Sequence, residues 1–355
     1  MPQQILKTDT VALVNQALDG FFERSIVHAT LIDPSYQQLW ENLYNFIRSG
    51  GKRLRPQMTM LAYEAFDGKD SSMVIPVAAA QELLHFCLLI HDDIIDRDYV
   101  RYGIPNVAGR YKKAYKAFVS DPTDQIHYAN SAALLGGDLM LSGAYQLITS
   151  CSLPPEDKIV AQGLLGHSTF EVAGGELLDT ESSFVPYTAG NALKIARYKT
   201  ASYSFITPLV TGATLAGASS AQLHILRSYA ISLGVAYQLV DDILGTFGSE
   251  KEIGKSTSGD IREGKRTYIV EHAVAAMSPN DKKIFDRSFG NPAITPAEIT
   301  VIRELLVSTG ARAETENTID HYAAEAREAL TLLQLDNEYH DKFEALILKV
   351  TKRSF

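Results

Sequence analysis

Cysteine is scarce in this chain. Two thiols, Cys87 and Cys151, among 355 residues give no disulfide framework and suit a reducing compartment. There is no run of like charges. Forty-two acidic against thirty-three basic residues leave a formal charge of −9, which offers no basic face for nucleic acid. No uninterrupted apolar stretch reaches the roughly 18 residues that would suggest a membrane span. No apolar core follows a basic N-terminal start, so no cleaved leader is expected. Convincing strands, internal repeats and low-complexity linkers are missing too. With 46% hydrophobic and 21% charged residues, the composition predicts a soluble, cytoplasmic globular protein.

What is present is helical periodicity. Val11, Val14, Leu18, Phe21 and Phe22, then Leu39, Leu43, Phe46 and Ile47, recur at three- and four-residue spacing. They predict amphipathic helices over 6–28 and 36–48, joined by a turn at Asp33-Pro34. A third helix begins near Leu54-Arg55-Pro56, because proline is tolerated in a first turn. Further helices are expected at 72–97, 128–150, 155–181, 188–217 and 219–247, with loops at Gly103–Pro105 and Asp121-Pro122. Gly136-Gly137, costly inside a helix, predicts close helix packing there. A polar loop over 249–264 precedes shorter helices at about 266–278, 281–289, 296–309, 311–334 and 337–352. The expected architecture is one all-α domain spanning 1–355, a bundle of long helices around a central core.

The chemistry concentrates where the apolar helix 72–97 ends in Asp92-Asp93-Ile94-Ile95-Asp96. Asp92 and Asp96 are i and i+4, hence on one face, where two carboxylates repel unless a cation lies between them. Hard Mg²⁺ takes such oxygen ligands, commonly one or two carboxylates together with substrate phosphates. An acidic helix end facing solvent is the plain alternative. The carboxylates here extend an apolar stripe, which favours the metal. Upstream, Gly50-Gly51-Lys52-Arg53-Leu54-Arg55-Pro56 sets three cations and two glycines at a helix start, a composition suited to an anion. Together they suggest one diphosphate held by protein cations and another held through metal.

These residues resemble the trans-isoprenyl diphosphate synthases of the polyprenyl synthetase family. The resemblance rests on Gly51-Lys52-Arg53-Leu54-Arg55-Pro56, Leu83-Leu84-His85 before the first acidic motif, and Arg101 with Gly103 and Pro105. It continues through Lys199-Thr200, Tyr237-Gln238 before Asp241-Asp242, Gly254-Lys255 and Gly264-Lys265. It implies an antiparallel helix bundle around a central cavity, usually as a homodimer. The implied reaction is head-to-tail condensation of isopentenyl diphosphate with a dimethylallyl, geranyl or farnesyl diphosphate. Gly51, Lys52, Arg55 and His85 would bind isopentenyl diphosphate. Asp92, Asp96 and Asp241 would hold three Mg²⁺ ions on the allylic diphosphate, contacted also by Arg101, Lys199, Lys255 and Lys265. Thr200 and Gln238 would face the developing cation, and Asp179 would support the metal's water shell.

The chain departs from the family pattern in places. Tyr102 stands where a second arginine is common, Gly245 leaves the second acidic motif without an i+4 carboxylate, and Glu176 and Tyr237 replace glutamine and phenylalanine. The last two are expected to be neutral. Product length is expected to depend on Leu84, Cys87 and Leu88, below Asp92. The absence of a bulky aromatic at 87 or 88 favours twenty-carbon geranylgeranyl diphosphate. Longer products (C25 or more), a C15 synthase, a class I terpene cyclase and a non-catalytic partner subunit are the alternatives. The cyclase has no need of the 51–56 loop, and partner subunits tend to lose an acidic motif, whereas the first motif is intact here.

Overall fold

Capping chemistry sets the helix starts. Asp33 accepts from the Ser35 N–H with Pro34 at the first position, so α2 runs Pro34–Arg48 behind α1 (Thr8–Thr30). The same arrangement at Asp121-Pro122, read from sequence as a loop, caps α6 (Pro122–Ser150) and starts it earlier than the apolar pattern indicated. The computed structural model describes residues 8–101, 103–185, 190–248 and 258–352. Between α2 and α6 lie α3 (Leu54–Ala65), α4 (Ile75–Ile95) and α5 (Val107–Ala114), the last not anticipated. β1 (Val100–Arg101) and β2 (Ile104–Pro105) form a minimal antiparallel pair, Arg101 opposite Ile104. It turns at Gly103, whose φ of 75° suits glycine. No strand was expected from the sequence; two paired residues are too short to leave a period-2 pattern.

Chain contacts group the residues into two compact units. One comprises Met1–Leu165 with Pro208–Ala218, the other Gly166–Thr207 with Ser219–Phe355. In the first, the predicted stripes of α1 and α2 are buried, with Phe22 at 0% and Leu43 and Phe46 at 1% exposure. Phe21, Phe22 and Trp40 meet edge to face. The paired glycines of α6 do permit close packing. A Cβ on Gly136 would lie 3.0 Å from Leu43, and one on Gly137 would lie 2.1 Å from His91 Nε2 of α4. The α4 region, Ser71–Ile95, is apolar and long enough to cross a membrane by composition alone, with a mean hydropathy of 1.9 over its best window. This differs from the sequence expectation, and burial explains it: 72% of that window is inside the structure.

In the second unit, α7 (Pro155–Ser182), most of which belongs here, leads toward α8 (Ala192–Ile195). Then comes a π-helical segment, Ala196–Ile206, and α9 (Thr207–Leu215), whose residues 208–215 belong to the first unit. α10 (Ser220–Phe247) begins with a full capping box at Ser219 and Gln222. It is followed by the short α11 (Gly259–Glu263), α12 (Tyr268–Ala276), α13 (Pro279–Ser288), α14 (Pro296–Ser308), α15 (Ala311–Leu333) and α16 (Asn337–Thr351). Tyr229 of α10 is fully buried and donates its hydroxyl to the Phe343 carbonyl at 2.9 Å.

Two glycines set the position of the π segment. A Cβ on Gly175 of α7 would lie 2.2 Å from the Lys199 backbone nitrogen, and one on Gly234 of α10 would lie 2.4 Å from Ala201 Cβ. π-helical turns often mark functional sites, and this one carries Lys199 and Thr200. Since backbone cannot yield as a side-chain tip can, Gly175→Ala is expected to destabilise the protein by about 1–3 kcal/mol. Urea unfolding measures this, and a wild-type midpoint would show that α7 and the π segment separate freely.

Candidate active site

In the first unit the 50–56 loop divides its cations by burial. Arg53, in the left-handed region at φ 49°, turns inward. It donates to Glu82 (3.0 Å), Asn15 (2.9 Å) and the carbonyls of Gly50 (3.1 Å) and Ile47 (2.8 Å). Lys52 stays exposed and Arg55 half-buried at the start of α3. Arg53 therefore anchors the loop, while Lys52 and Arg55 are its less buried cations. His85 lies one turn beyond Gln81 on α4, and burial, then the fields of Arg55, Arg101 and Arg53, hold its pKa well below the ordinary histidine value. It is neutral at physiological pH, able both to donate and to accept.

The first acidic motif is held by an arginine. The buried guanidinium of Arg101 donates from Nε to Asp93 Oδ1 (2.8 Å) and from Nη2 to Asp92 Oδ2 (3.0 Å). Asp93 is 3% exposed, whereas Asp92 and Asp96 are half-buried. Sequence reasoning gave Asp93 no role. Here it fixes Arg101 beside Asp92. Among the proposed chain-length positions, Leu84 is fully buried and Leu88 half-buried. The Cys87 thiol sits 3.8 Å from His91 Nδ1, and burial and Asp138 push its pKa up to about 12, so it is unreactive.

The second unit brings together Lys199, Glu176 and Asp179. Lys199 Nζ lies 2.6 Å from Asp179 Oδ2 and 3.0 Å from Glu176 Oε2. Glu176, read as a neutral replacement for glutamine, thus contributes a charge that Lys199 uses. Thr200 donates its hydroxyl to Gln238 Oε1 (2.5 Å), and the Gln238 amide donates to Asp242 Oδ1 (2.7 Å). Asp241 is exposed and Asp242 buried. Lys265 pairs with Glu263 at 3.2 Å. Tyr237 packs its ring on Phe205, centroids 5.2 Å apart. Lys255 and Tyr102 lie outside the described residues.

Carboxylate oxygens one helical turn apart fit a hard divalent cation better than a thiophilic metal. Among the described residues no three His, Cys, Asp or Glu side chains already form a closed metal cage. Mg²⁺ needs none, since it keeps waters and takes phosphate oxygens. Asp92 with Asp96, and Asp241, are the residues that would hold it.

Comparisons with known proteins give the family. The chain belongs to the polyprenyl synthetase family, whose model matches residues 36–306. It is an all-α trans-prenyltransferase of the isoprenoid synthase fold. Among relatives, a geranylgeranyl diphosphate synthase of Sulfolobus acidocaldarius is 32% identical over 79% of this chain and 82% of its own. A (2E,6E)-farnesyl diphosphate synthase of Mycobacterium bovis is 32% identical over 74% and 68%. The crystal structure of a geranylgeranyl pyrophosphate synthase of Corynebacterium glutamicum, complexed with isoprenyl diphosphate and magnesium, superposes with a TM-score of 0.92. It shares 31% identity, covering 98% of this chain and all of that one.

Two predictions follow from the buried charges. Glu82→Gln leaves Arg53 without its carboxylate and is expected to cost about 3 kcal/mol, whereas Arg53→Met with Glu82→Leu recovers much of that loss. Guanidinium unfolding distinguishes them, and equal loss in both would show that the pair itself is not the determinant. Burial, then the fields of Asp260, Asp241 and Asp179, hold Asp242 well above the ordinary carboxylate range, against the hydrogen bond from Gln238. The folded protein keeps a proton that the unfolded chain releases near about pH 4, so this group's contribution is present below that pH and is lost as pH rises toward the folded pKa. Asp242→Asn is therefore expected to melt higher than wild type at neutral pH in the absence of metal, the gap closing near about pH 3. A gap independent of pH would place the effect in packing.

Proposed function

We propose that this protein condenses isopentenyl diphosphate with an allylic diphosphate, extending it to twenty-carbon all-trans geranylgeranyl diphosphate. The observation that carries this over cyclisation is the 50–56 loop. Its buried Arg53–Glu82 anchor fixes the loop that carries Lys52 and Arg55, and the field of Arg55 reaches neutral His85: a cationic site for a second diphosphate that a cyclase does not require. Gly51, in the left-handed region at φ 113°, gives the backbone turn. The chain-length choice is supported by the Sulfolobus and Corynebacterium relatives and by the lack of an aromatic at 87 and 88. The mycobacterial relative's fifteen-carbon name is the reason product length needs its own test.

In this reading Asp92, Asp96 and Asp241 would hold three Mg²⁺ ions, which when bound would supply charge to neutralise the leaving diphosphate. Lys199, Lys255, Arg101 and Lys265 add charge to the same group. The allylic C–O bond breaks with its electron pair leaving on diphosphate. Thr200 and Gln238 place oxygen dipoles against the carbocation. The double bond of isopentenyl diphosphate attacks the allylic carbon, and the released diphosphate takes the proton lost from the adduct. Apolar side chains of α4, Leu84 and Leu88 among them, exclude water that would quench the cation. Cytoplasmic location follows the cysteine usage. A single catalytic domain over 1–355 is proposed because each unit carries residues that the reaction needs. A homodimer is proposed from Leu134 and Leu135, exposed at 51% and 58% on α6.

The test uses purified protein with Mg²⁺, labelled isopentenyl diphosphate and allylic starters of five, ten and fifteen carbons, with dephosphorylated products sized by chromatography. Twenty-carbon product from each starter is expected. Leu88→Phe is expected to shift the product to fifteen carbons, because one helical turn, about 5.4 Å, approximates one isoprene unit. Consumption of allylic diphosphate without incorporation would instead favour the cyclase.

A further inference from the structure

The formal charge of −9 is spread unevenly. From Tyr99 to Ser120 the chain carries five basic residues and no acidic one. Arg101 is committed to Asp92 and Asp93. The other four, Arg110, Lys112, Lys113 and Lys116, lie on α5 and on the 3₁₀ turn Tyr115–Ala117 that continues it. Among the described residues none of these four is ion-paired with a carboxylate, and the reaction proposed above uses none of them.

The basic element is fixed in place. Asn106, fully buried, accepts from the Gly109 N–H at 2.8 Å and donates to the Asp98 carbonyl at 2.8 Å. A Cβ on Gly109 would lie 2.1 Å from the Tyr99 carbonyl oxygen, so the first turn of α5 is pressed on that backbone. The Lys112 ammonium covers the Tyr99 ring at 3.9 Å. Arg110 donates from Nε to the Pro105 carbonyl at 3.2 Å. With Lys113 it lines a cavity of about 600 Å³, whose other walls are Asn42, Ile104, Pro105 and Ala114. Two cations on one cavity wall suit a phosphate headgroup.

Beside these charges an aromatic series runs outward from the core. Tyr111, Tyr115 and Phe118 follow at i, i+4 and i+7, on one helical face. Tyr111 is 4% exposed, Tyr115 half-buried and Phe118 82% exposed. Tyr115 stacks on Tyr111 (centroids 5.8 Å, planes 3° apart), meets Tyr128 of α6 at 4.8 Å and supports Phe118 at 6.0 Å. The exposed ring is therefore braced. Nucleic acid would take the charge, but its phosphate track wants a longer basic face than one short helix. An anionic surface with an apolar interior takes both features, since interfacial elements seat aromatic rings at the acyl boundary and lysines among the headgroups.

We infer that this element docks the protein on the surface of an anionic lipid bilayer. Phe118 enters between the headgroups, and Arg110 and Lys113 take a headgroup phosphate at the cavity. Docking needs no substrate and stands apart from the proposed reaction.

The test is co-sedimentation of the full chain, without metal or substrate, with vesicles of phosphatidylcholine alone or with one third phosphatidylglycerol. Binding to the anionic vesicles only, falling as salt rises, is expected. Lys113→Ala with Lys116→Ala is expected to lower the partition roughly ten- to thirtyfold, while Lys282→Ala with Lys283→Ala, on α13, keeps the wild-type value. Phe118→Trp is expected to shift its emission to the blue on anionic vesicles. The one native tryptophan, Trp40, is 7% exposed and gives a constant background. Circular dichroism and thermal unfolding confirm that each variant is folded. No binding to anionic vesicles, equal loss in the two double variants, or no emission shift in Phe118→Trp would overturn the inference. Binding abolished by inorganic phosphate, again without a shift, would overturn it in favour of a free anion in the cavity.

Discussion

Carboxylates gathered on one helix face repel, and the structure answers that repulsion with cations from the chain itself. Arg101 lies against Asp92 and Asp93 at 3.0 and 2.7 Å, and Lys199 against Asp179 and Glu176. Each pair is partly or wholly withdrawn from water, where a lone charge would be expensive. These cations therefore have two conditions to satisfy. In the structure they neutralise the acids; in the proposed reaction, metal on the acids would leave the same guanidinium and ammonium to donate to the diphosphate. Anionic substrate and divalent metal suit one another at such a place because each relieves the charge that the other leaves.

Holding those charges demands close backbone approaches, and glycine makes them. Gly175 and Gly234 let α7 and α10 press on the π segment, so that Lys199 reaches Asp179 and Thr200 reaches Gln238. Gly137 does the same for α4 against α6, next to His91 and hence next to Asp92. A core this tight has few adjustable positions. Small shifts at these glycines would move reactive side chains by comparable distances, which is enough to spoil catalytic geometry.

Much of the architecture was legible in the sequence because long amphipathic helices carry their period openly. The stripe Leu39, Leu43, Phe46 and Ile47 is buried as its spacing predicts. The i, i+4 pair Asp92 and Asp96 and the glycine-flanked cations at 52–55 could likewise be read as chemistry. What stayed hidden has a common physical cause: it depends on contacts distant in sequence. Arg53 looked like one of three equivalent cations until its four acceptors were seen. Asp93 and Glu176 gain meaning only through Arg101 and Lys199. The π segment leaves no periodic trace, since an inserted backbone bond shifts the register without altering composition, and α5 and α11 are too short for a stripe to show.

Gly245 is the case where the two kinds of information meet. On the sequence alone it is a missing ligand, and local geometry allows nothing more to be said. In the fold it is a space filled by Asp260, an acid fifteen positions along the chain on a different helix. Electrostatics does not register which helix a carboxylate is attached to; it registers distance and dielectric. The carboxylate of Asp260 therefore belongs to the electrostatic surroundings of the end of α10, where its field helps to hold Asp242 above the ordinary carboxylate range.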